Sequence, residues 1–195
     1  MKPDSRRGAP RARAPRSDGV RSRKALVRAA IEVLGEGNSD NPGVREIAAR
    51  AGVDPALVRR YFGSKEGLVI AALDEVRQEF DLTPVIRNTE VSGLGFALAK
   101  SALARRHNGA PLQFFLRGAT SLMLAPMVNE RVLAEANRQI RDALPGRNSA
   151  ARASAILGIL TGAATARHLF NLESTRGPAF VNAVGASIQA VIDEY

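Results

Sequence analysis

Residues 44–68 read VREIAARAGVDPALVRRYFGSKEGL, and their local grammar is that of two short helices meeting at a corner. Ile47, Ala48 and Ala51 fall on one side of a first helix, with Arg45, Glu46 and Arg50 on the other. Gly52 follows its last turn, where a left-handed backbone closes a helix and glycine adopts it without a Cβ clash. Val53 fills the corner. Asp54 and Pro55 then open a second helix, a carboxylate cap ahead of a proline at the first helical position. Leu57, Val58 and Tyr61 recur at helical spacing, while Arg59 and Arg60 project elsewhere.

Two helices crossing closely at a steep angle need a small residue at the contact, a glycine in the turn and a branched apolar residue on the second helix. Ala48, Gly52 and Val58 supply these at the spacing of a helix-turn-helix. A generic helical hairpin accommodates the same triplet, so the next eight residues carry the decision. Tyr61 and Phe62 close the second helix, Gly63 turns the chain and Ser64 restarts it. Lys65 then sits beside the unpaired N–H groups of a helix N-terminus, a ready phosphate contact.

With an amphipathic helix in front, the segment from Arg21 to Leu68 resembles the DNA-binding domain of the TetR family of transcriptional regulators. The REIAxxAGV run (Arg45 to Val53) and the YFxSKExL run (Tyr61 to Leu68) carry the resemblance, which covers about a quarter of the chain. It implies double-stranded DNA as a partner, with Asp54, Pro55, Ala56, Arg59, Arg60 and Tyr61 in or near a major groove. The family commonly places Tyr where Arg59 stands, and Ser or Thr reaching a phosphate where this chain has Asn41 or Gly43. Arginine donates two hydrogen bonds to guanine, so Arg59 is expected to read bases, with Arg60, Tyr61 and Lys65 on the phosphate backbone.

Charge agrees with a nucleic-acid partner. The 195 residues carry a net charge of +9, and ten Lys and Arg against two Asp lie before residue 29. Residues 1–19, rich in Arg, Pro, Ala and Gly, have nothing to bury and are expected to form a disordered basic arm. Arg11, Arg13 and Arg16 suit a minor groove or phosphates; a solubilising tail is the alternative. Cysteine is absent, which excludes disulfides and thiol chemistry. No apolar run has the length of a bilayer span and no signal-peptide pattern is present, so no membrane partner and a cytoplasmic location are expected. The two histidines, His107 and His168, have no Ser or acidic neighbour at triad or metal-ligand spacing, so neither an enzyme nor a bound metal or cofactor is expected.

An all-α fold is expected throughout: a three-helix DNA-binding domain over 20–66, then a larger helical ligand-binding and dimerisation domain over 67–195. The first helix is placed from Val20 to Gly35 and a connecting helix from Glu66 to Phe80. A loose junction at Thr83-Pro84 and Ser92-Gly93 precedes helices at Gly93–Arg106, Pro111–Leu124, Val128–Leu144, Ala150–Asn171 and Pro178–Asp193. In the second of these stretches and its flank, Phe114, Phe115, Met123 and Met127 alternate with Arg117, Thr120 and Ser121. That pattern fits the wall of a small-molecule site, and fits an ordinary helix core with a solvent face better. Gly158, Gly162 and Ala166 form a small-residue ridge along the fourth, Ala150–Asn171. The resemblance implies that the last two helices pair with their copies in a homodimer. Leu157, Gly158, Thr161, Gly162, Thr165, Phe180, Val184 and Ile188 are the expected interface residues. The function expected is that of a homodimeric repressor on an inverted-repeat operator, released by an unidentified small effector. A regulator without a ligand, and a sequence-indifferent architectural DNA-binding protein resting on the basic arm, are the alternatives.

Overall fold

The computed structural model describes residues 16–37, 42–104, 109–122 and 124–194. These residues form eleven α-helices and no strand: α1 (Arg16–Glu36), α2 (Val44–Ala51), α3 (Ala56–Phe62), α4 (Lys65–Glu79), α5 (Thr83–Arg87), α6 (Leu94–Ala104), α7 (Ala110–Thr120), α8 (Ala125–Val128), α9 (Ala134–Ala143), α10 (Ser149–His168) and α11 (Pro178–Asp193). The fold is all-α. Among the described residues no helix is long and apolar enough to cross a membrane.

Two apolar cores organise the chain. The first joins Leu26 and Ala30 of α1 to Ile47, Val58, Leu68 and Leu73, and continues into Phe114 of α7, Val128 and Val132. The second joins Leu98 and Leu103 of α6 to Ile140, Ile156, Ile188 and Ile192. The first core therefore runs past residue 66, because α1 lies directly against α7. At their crossing a Cβ on Gly35 would stand 3.1 Å from both the Ala110 carbonyl oxygen and the Phe114 nitrogen. Gly35 is thus a point of close approach inside α1, where the sequence suggests only a helix end.

The second core is closed by a tighter crossing. A Cβ on Gly95 would meet the Gln189 nitrogen at 2.5 Å and the Gly185 oxygen at 2.7 Å. Buried Gln189 ties that crossing: its Oε1 accepts from the Gly95 N–H at 2.9 Å, and its Nε2 donates to the Val91 carbonyl at 3.0 Å and to Asp193 at 2.9 Å. At the base of the α10–α11 hairpin, buried Arg152 donates to the carbonyls of Glu194 and Pro145, each at 2.6 Å.

Four element boundaries differ from expectation. α1 reaches back to Arg16, so residues 16–19 belong to a helix rather than to the arm. Asp18 lies in its first turn, where a carboxylate favours the helix N-terminus, and its carbonyl accepts from Ser22 Oγ at 2.8 Å. The junction after α4 holds α5, started by Pro84 and by the Asp81 carboxylate, which accepts the Thr83 N–H at 3.0 Å. α7 ends at Thr120, where the Thr120 hydroxyl bonds back to the carbonyls of Leu116 and Arg117. The helix expected at Val128–Leu144 is interrupted by a π-helical turn over Asn129–Leu133. The buried series Val128, Val132, Ala136 and Ile140 repeats every four residues. On a 3.6-residue helix that series drifts by about 40° per step, and a wider turn resets it.

Candidate nucleic-acid interface

The corner between α2 and α3 is built by backbone chemistry. Gly52 takes the left-handed conformation at φ 66°, its N–H bonding to Ala49, while the Val53 N–H reaches back to the Ala48 carbonyl at 3.0 Å. Asp54 then accepts the Ala56 N–H on its carboxylate at 2.7 Å, and Pro55 occupies the first turn. Val58 is buried between the helices and Ala48 is fully buried beneath the corner. The outward face of α3 consequently carries Ala56, Arg59 and Arg60, all exposed, with Pro55 and Asp54 exposed ahead of them.

The two adjacent arginines differ. The Arg60 guanidinium lies 5.7 Å from the centre of the Tyr61 ring. Among the described residues nothing engages the Arg59 guanidinium, so it is free to donate to a partner. Tyr61 is half-buried and meets Phe62 edge to face at 6.4 Å. Its hydroxyl points towards Gly19 of α1, where a Cβ would stand 3.5 Å away. Arg23 of α1 covers the Phe62 ring at 5.0 Å, which fixes the basic first turns of α1 beside the end of α3.

Two helix N-termini flank that face. At α2, Gly43 is exposed and extended, and its carbonyl accepts the N–H groups of Glu46 and Ile47. This leaves the first backbone donors of the helix and exposed Arg45 directed at solvent. At α4, Ser64 caps by accepting the Gly67 N–H at 3.1 Å, with half-buried Lys65 next in sequence. Gly67 itself has no room for a side chain, since a Cβ there would overlap the Phe62 carbonyl oxygen. Glu66, hydrogen-bonded to its own backbone and then to the Ser64 hydroxyl, has its carboxyl held below the usual range. An ion pair braces the far side: Arg50 of α2 donates to both oxygens of Glu36 at the end of α1, at 2.6 and 2.9 Å. Asn41, Met123, His107 and the arm residues up to Pro15 lie outside the described residues.

The residues expected to bind a ligand disperse. Phe114 is fully buried in the first core beneath α1, and Met127 packs half-buried against the same core. Arg117 is exposed, and its guanidinium lies across Gly37 at the end of α1, where a cation faces the terminal carbonyls of the helix. Thr120 is exposed, and Ser121 Oγ accepts the Leu124 N–H at 3.3 Å at the start of α8. Thr120 and Ser121 border an open groove beside α8, and Phe115 reaches a cavity deeper in the fold. That cavity, of about 80 Å³, lies between the two cores. Phe80, Leu112, Phe115, Val132 and Leu133 bound it on the side of the first core, Leu82, Leu157, Leu160 and Thr161 on the side of the second. Its residues are scattered over six elements, and no local pattern marks them.

The last two helices also separate into two faces. Val184 and Ile188 turn into the core of their own subunit, with Phe180 half-buried against it, which removes Val184 and Ile188 from the expected interface. The apolar stripe of α11 is needed to close the monomer. Gly158 and Gly162 instead point outward, and a Cβ on either would meet nothing within 4 Å. Leu157 and Thr161 lean inward to the cavity, and Thr165 donates to the Thr161 carbonyl at 2.8 Å.

A capped helix-turn-helix with a free arginine on its outer helix, backed by an all-α body, defines the class of DNA-binding transcriptional regulators. Residues 26–72 match the family described as bacterial regulatory proteins, tetR family, and residues 92–192 match the tetracyclin repressor-like C-terminal domain. The chain belongs to the TetR family of transcriptional regulators. It is 53% identical over 51 residues to an HTH-type transcriptional regulator BetI of Rhizobium meliloti (strain 1021), and 40% identical over 70 residues to the BetI of Brucella anthropi. These alignments take in 26% and 35% of this chain, and only 25% and 36% of the relatives' own lengths. A TetR-family regulator of Shewanella sp. PV-4 superposes with a TM-score of 0.69 at 18% identity, over 88% of this chain and 97% of that one. A transcriptional regulator of Rhodococcus sp. Rha1 superposes with a TM-score of 0.67 at 22% identity, over 88% and 95%.

Proposed function

We propose that the protein is a homodimeric repressor acting in the cytoplasm on an inverted-repeat operator and released by a small effector. The observation that carries this reading is the contrast between the faces of the terminal helices. Ala151, Ala155, Gly158 and Gly162 on α10, and Ala179, Ala183, Ala186 and Ala190 on α11, share one spacing and are exposed. Small residues let helix backbones approach closely, so this uncharged ridge suits a second copy, giving a four-helix bundle. Two copies related by a two-fold axis would set two α3 helices in successive major grooves. Arg59 would read bases with Pro55 and Ala56 beside it, while Asp54 caps the reading helix. Gly43, Arg45, Arg60, Tyr61 and Lys65 would hold the phosphates, with Asn41 two positions before Gly43 in sequence. The effector would enter the cavity between the cores, shift α4 and carry the two reading heads out of half-site register.

The test is selection of bound duplexes from a random pool at near-physiological salt, using the full chain and a Gly158→Arg variant. An inverted repeat with the full chain, and its loss together with a halved mass in sedimentation for the variant, supports the reading. Binding without a consensus that collapses as salt rises overturns it, leaving affinity to the basic segments alone.

A further inference from the structure

The cavity between the cores specifies the chemistry of its occupant, an inference that rests on the effector-responsive reading above. Of its lining side chains only that of Thr161 carries a polar atom, and the Thr161 hydroxyl makes no hydrogen bond among the described residues. A buried charge needs a paired counter-charge or several hydrogen bonds, and this wall offers neither. Two phenyl rings, Phe80 and Phe115, do reach the cavity, but they meet each other edge to face at 5.9 Å and 66° rather than forming a cage for a cation.

We infer that the effector is a small uncharged molecule, apolar over most of its surface, with one hydrogen-bonding group placed on the Thr161 hydroxyl. Size makes its binding informative to the head. The cavity of about 80 Å³ is smaller than the apolar space of about 150 Å³ that takes up benzene, so an occupant of that size displaces a wall. The Gly95–Gly185 crossing holds α6 on α11, and the Gly35 crossing holds α7 on α1. Phe80, half-buried at the end of α4, is the wall without such a lock. Four lining residues, Phe115, Leu133, Leu157 and Thr161, also border the groove between α7, α9 and α10.

The experiment uses four probes built on one ring, toluene, benzyl alcohol, benzylammonium and benzoate, titrated into the full-length protein at pH 7 without DNA and followed by calorimetry. Benzyl alcohol is expected to bind saturably and at least about a hundredfold more tightly than either ion. Thr161→Val should abolish its preference over toluene while leaving toluene binding unchanged, and Ala164→Leu should fill the cavity and exclude both. Equal binding of a charged probe, saturable binding of no probe, or alcohol preference retained in Thr161→Val overturns the proposal. Operator affinity is then measured with and without benzyl alcohol. Selective uptake with unchanged operator affinity leaves the chemistry of the site standing and removes the regulatory reading alone.

Discussion

The two cores are closed by different means. Around the reading head the special residues act locally: Gly52 and Gly63 take positive φ at helix ends, Ser64 caps the next helix, and Glu36 pairs with Arg50 on the surface. In the other core the special residues act across the chain, with Gly95 against Gly185 and Gln189, 90 and 94 positions away. The turns of the head are thus set locally, with the Gly35 crossing of α1 on α7 as its long-range tie to a body set by such crossings. Between them lies the cavity, and the chain that passes from one to the other, Phe80 to Leu82, is pinned at its far end by the Leu82 N–H on Gln139 at 3.0 Å. A unit that can tilt needs a stiff base, and the glycine crossing supplies it.

The largest effect should come from breaking that base. In Gly95→Leu the new side chain meets backbone atoms of α11 at distances that no rotamer relieves. Overpacking of this kind costs about 3 kcal/mol or more, roughly 6–12 °C in the melting temperature of a domain of this size. Hydrogen exchange should locate the loss in α6 and α11 and leave protection in α2 and α3 intact. Equal loss in both regions would show that the cores fold as one.

The reciprocal experiment is Gly67→Ala. Its Cβ would strike the Phe62 carbonyl, so the turn between α3 and α4 must open, at about 1–3 kcal/mol. Here exchange should rise in α3 and DNA binding should fall, while the mass in sedimentation stays that of the parent. An unchanged α3 would mean that the turn relaxes without moving the reading helix.

These two glycines also mark how much of the molecule its sequence discloses. Gly52, Asp54, Pro55 and Ser64 were legible because a cap or turn is a local event whose residue type follows from one backbone conformation. Gly35, Gly67 and Gly95 sit at negative φ inside helices, and the reason for each lies in a neighbour supplied by another element. The same distinction explains the terminal helices. An apolar stripe names a face that is buried, not the surface that buries it, and Val184 and Ile188 are consumed by their own subunit. Arg117 could not be placed from sequence because its contact, the end of α1 at Gly37, is 80 residues away. Thr161 reads as one polar residue on a helix, and only the fold turns it into the single polar atom of a cavity wall.

Arg59→Ala tests the head without touching either core. The residue is exposed, and truncation should leave the melting temperature within experimental error. Discrimination at one base pair in each half-site should drop by about 1–3 kcal/mol, the worth of a bidentate arginine on guanine. Arg60→Ala should instead weaken all sequences alike and shallow the salt dependence, because its guanidinium lies over Tyr61 rather than free on the outer face. A uniform loss from Arg59→Ala would reverse the two roles.

The smallest effect is electrostatic and separates the regions by pH. Hydrogen bonds from Arg50 hold the Glu36 carboxyl below its ordinary range on the head. At the elbow beyond α4, Thr83 does the same for Asp81, and Arg138 with Gln139 for Glu135. A carboxyl whose folded pKa is depressed binds protons more readily when unfolded. Its contribution is therefore complete above the unfolded value, about 3.9 for Asp and 4.3 for Glu, and disappears as pH falls through the folded one. The contribution of these carboxyls should be flat from pH 7 to about 5.5 and decline in the acid limb. Glu36→Gln should be less stable than the parent at pH 6, and the two curves should converge as the Glu36 carboxyl of the parent takes up its proton. Because the pair is exposed, high salt should shrink the gap. If exchange at pH 4 shows α2 loosening while α5 and α9 keep their protection, the head has its own acid limit; simultaneous loosening would place that limit at the elbow.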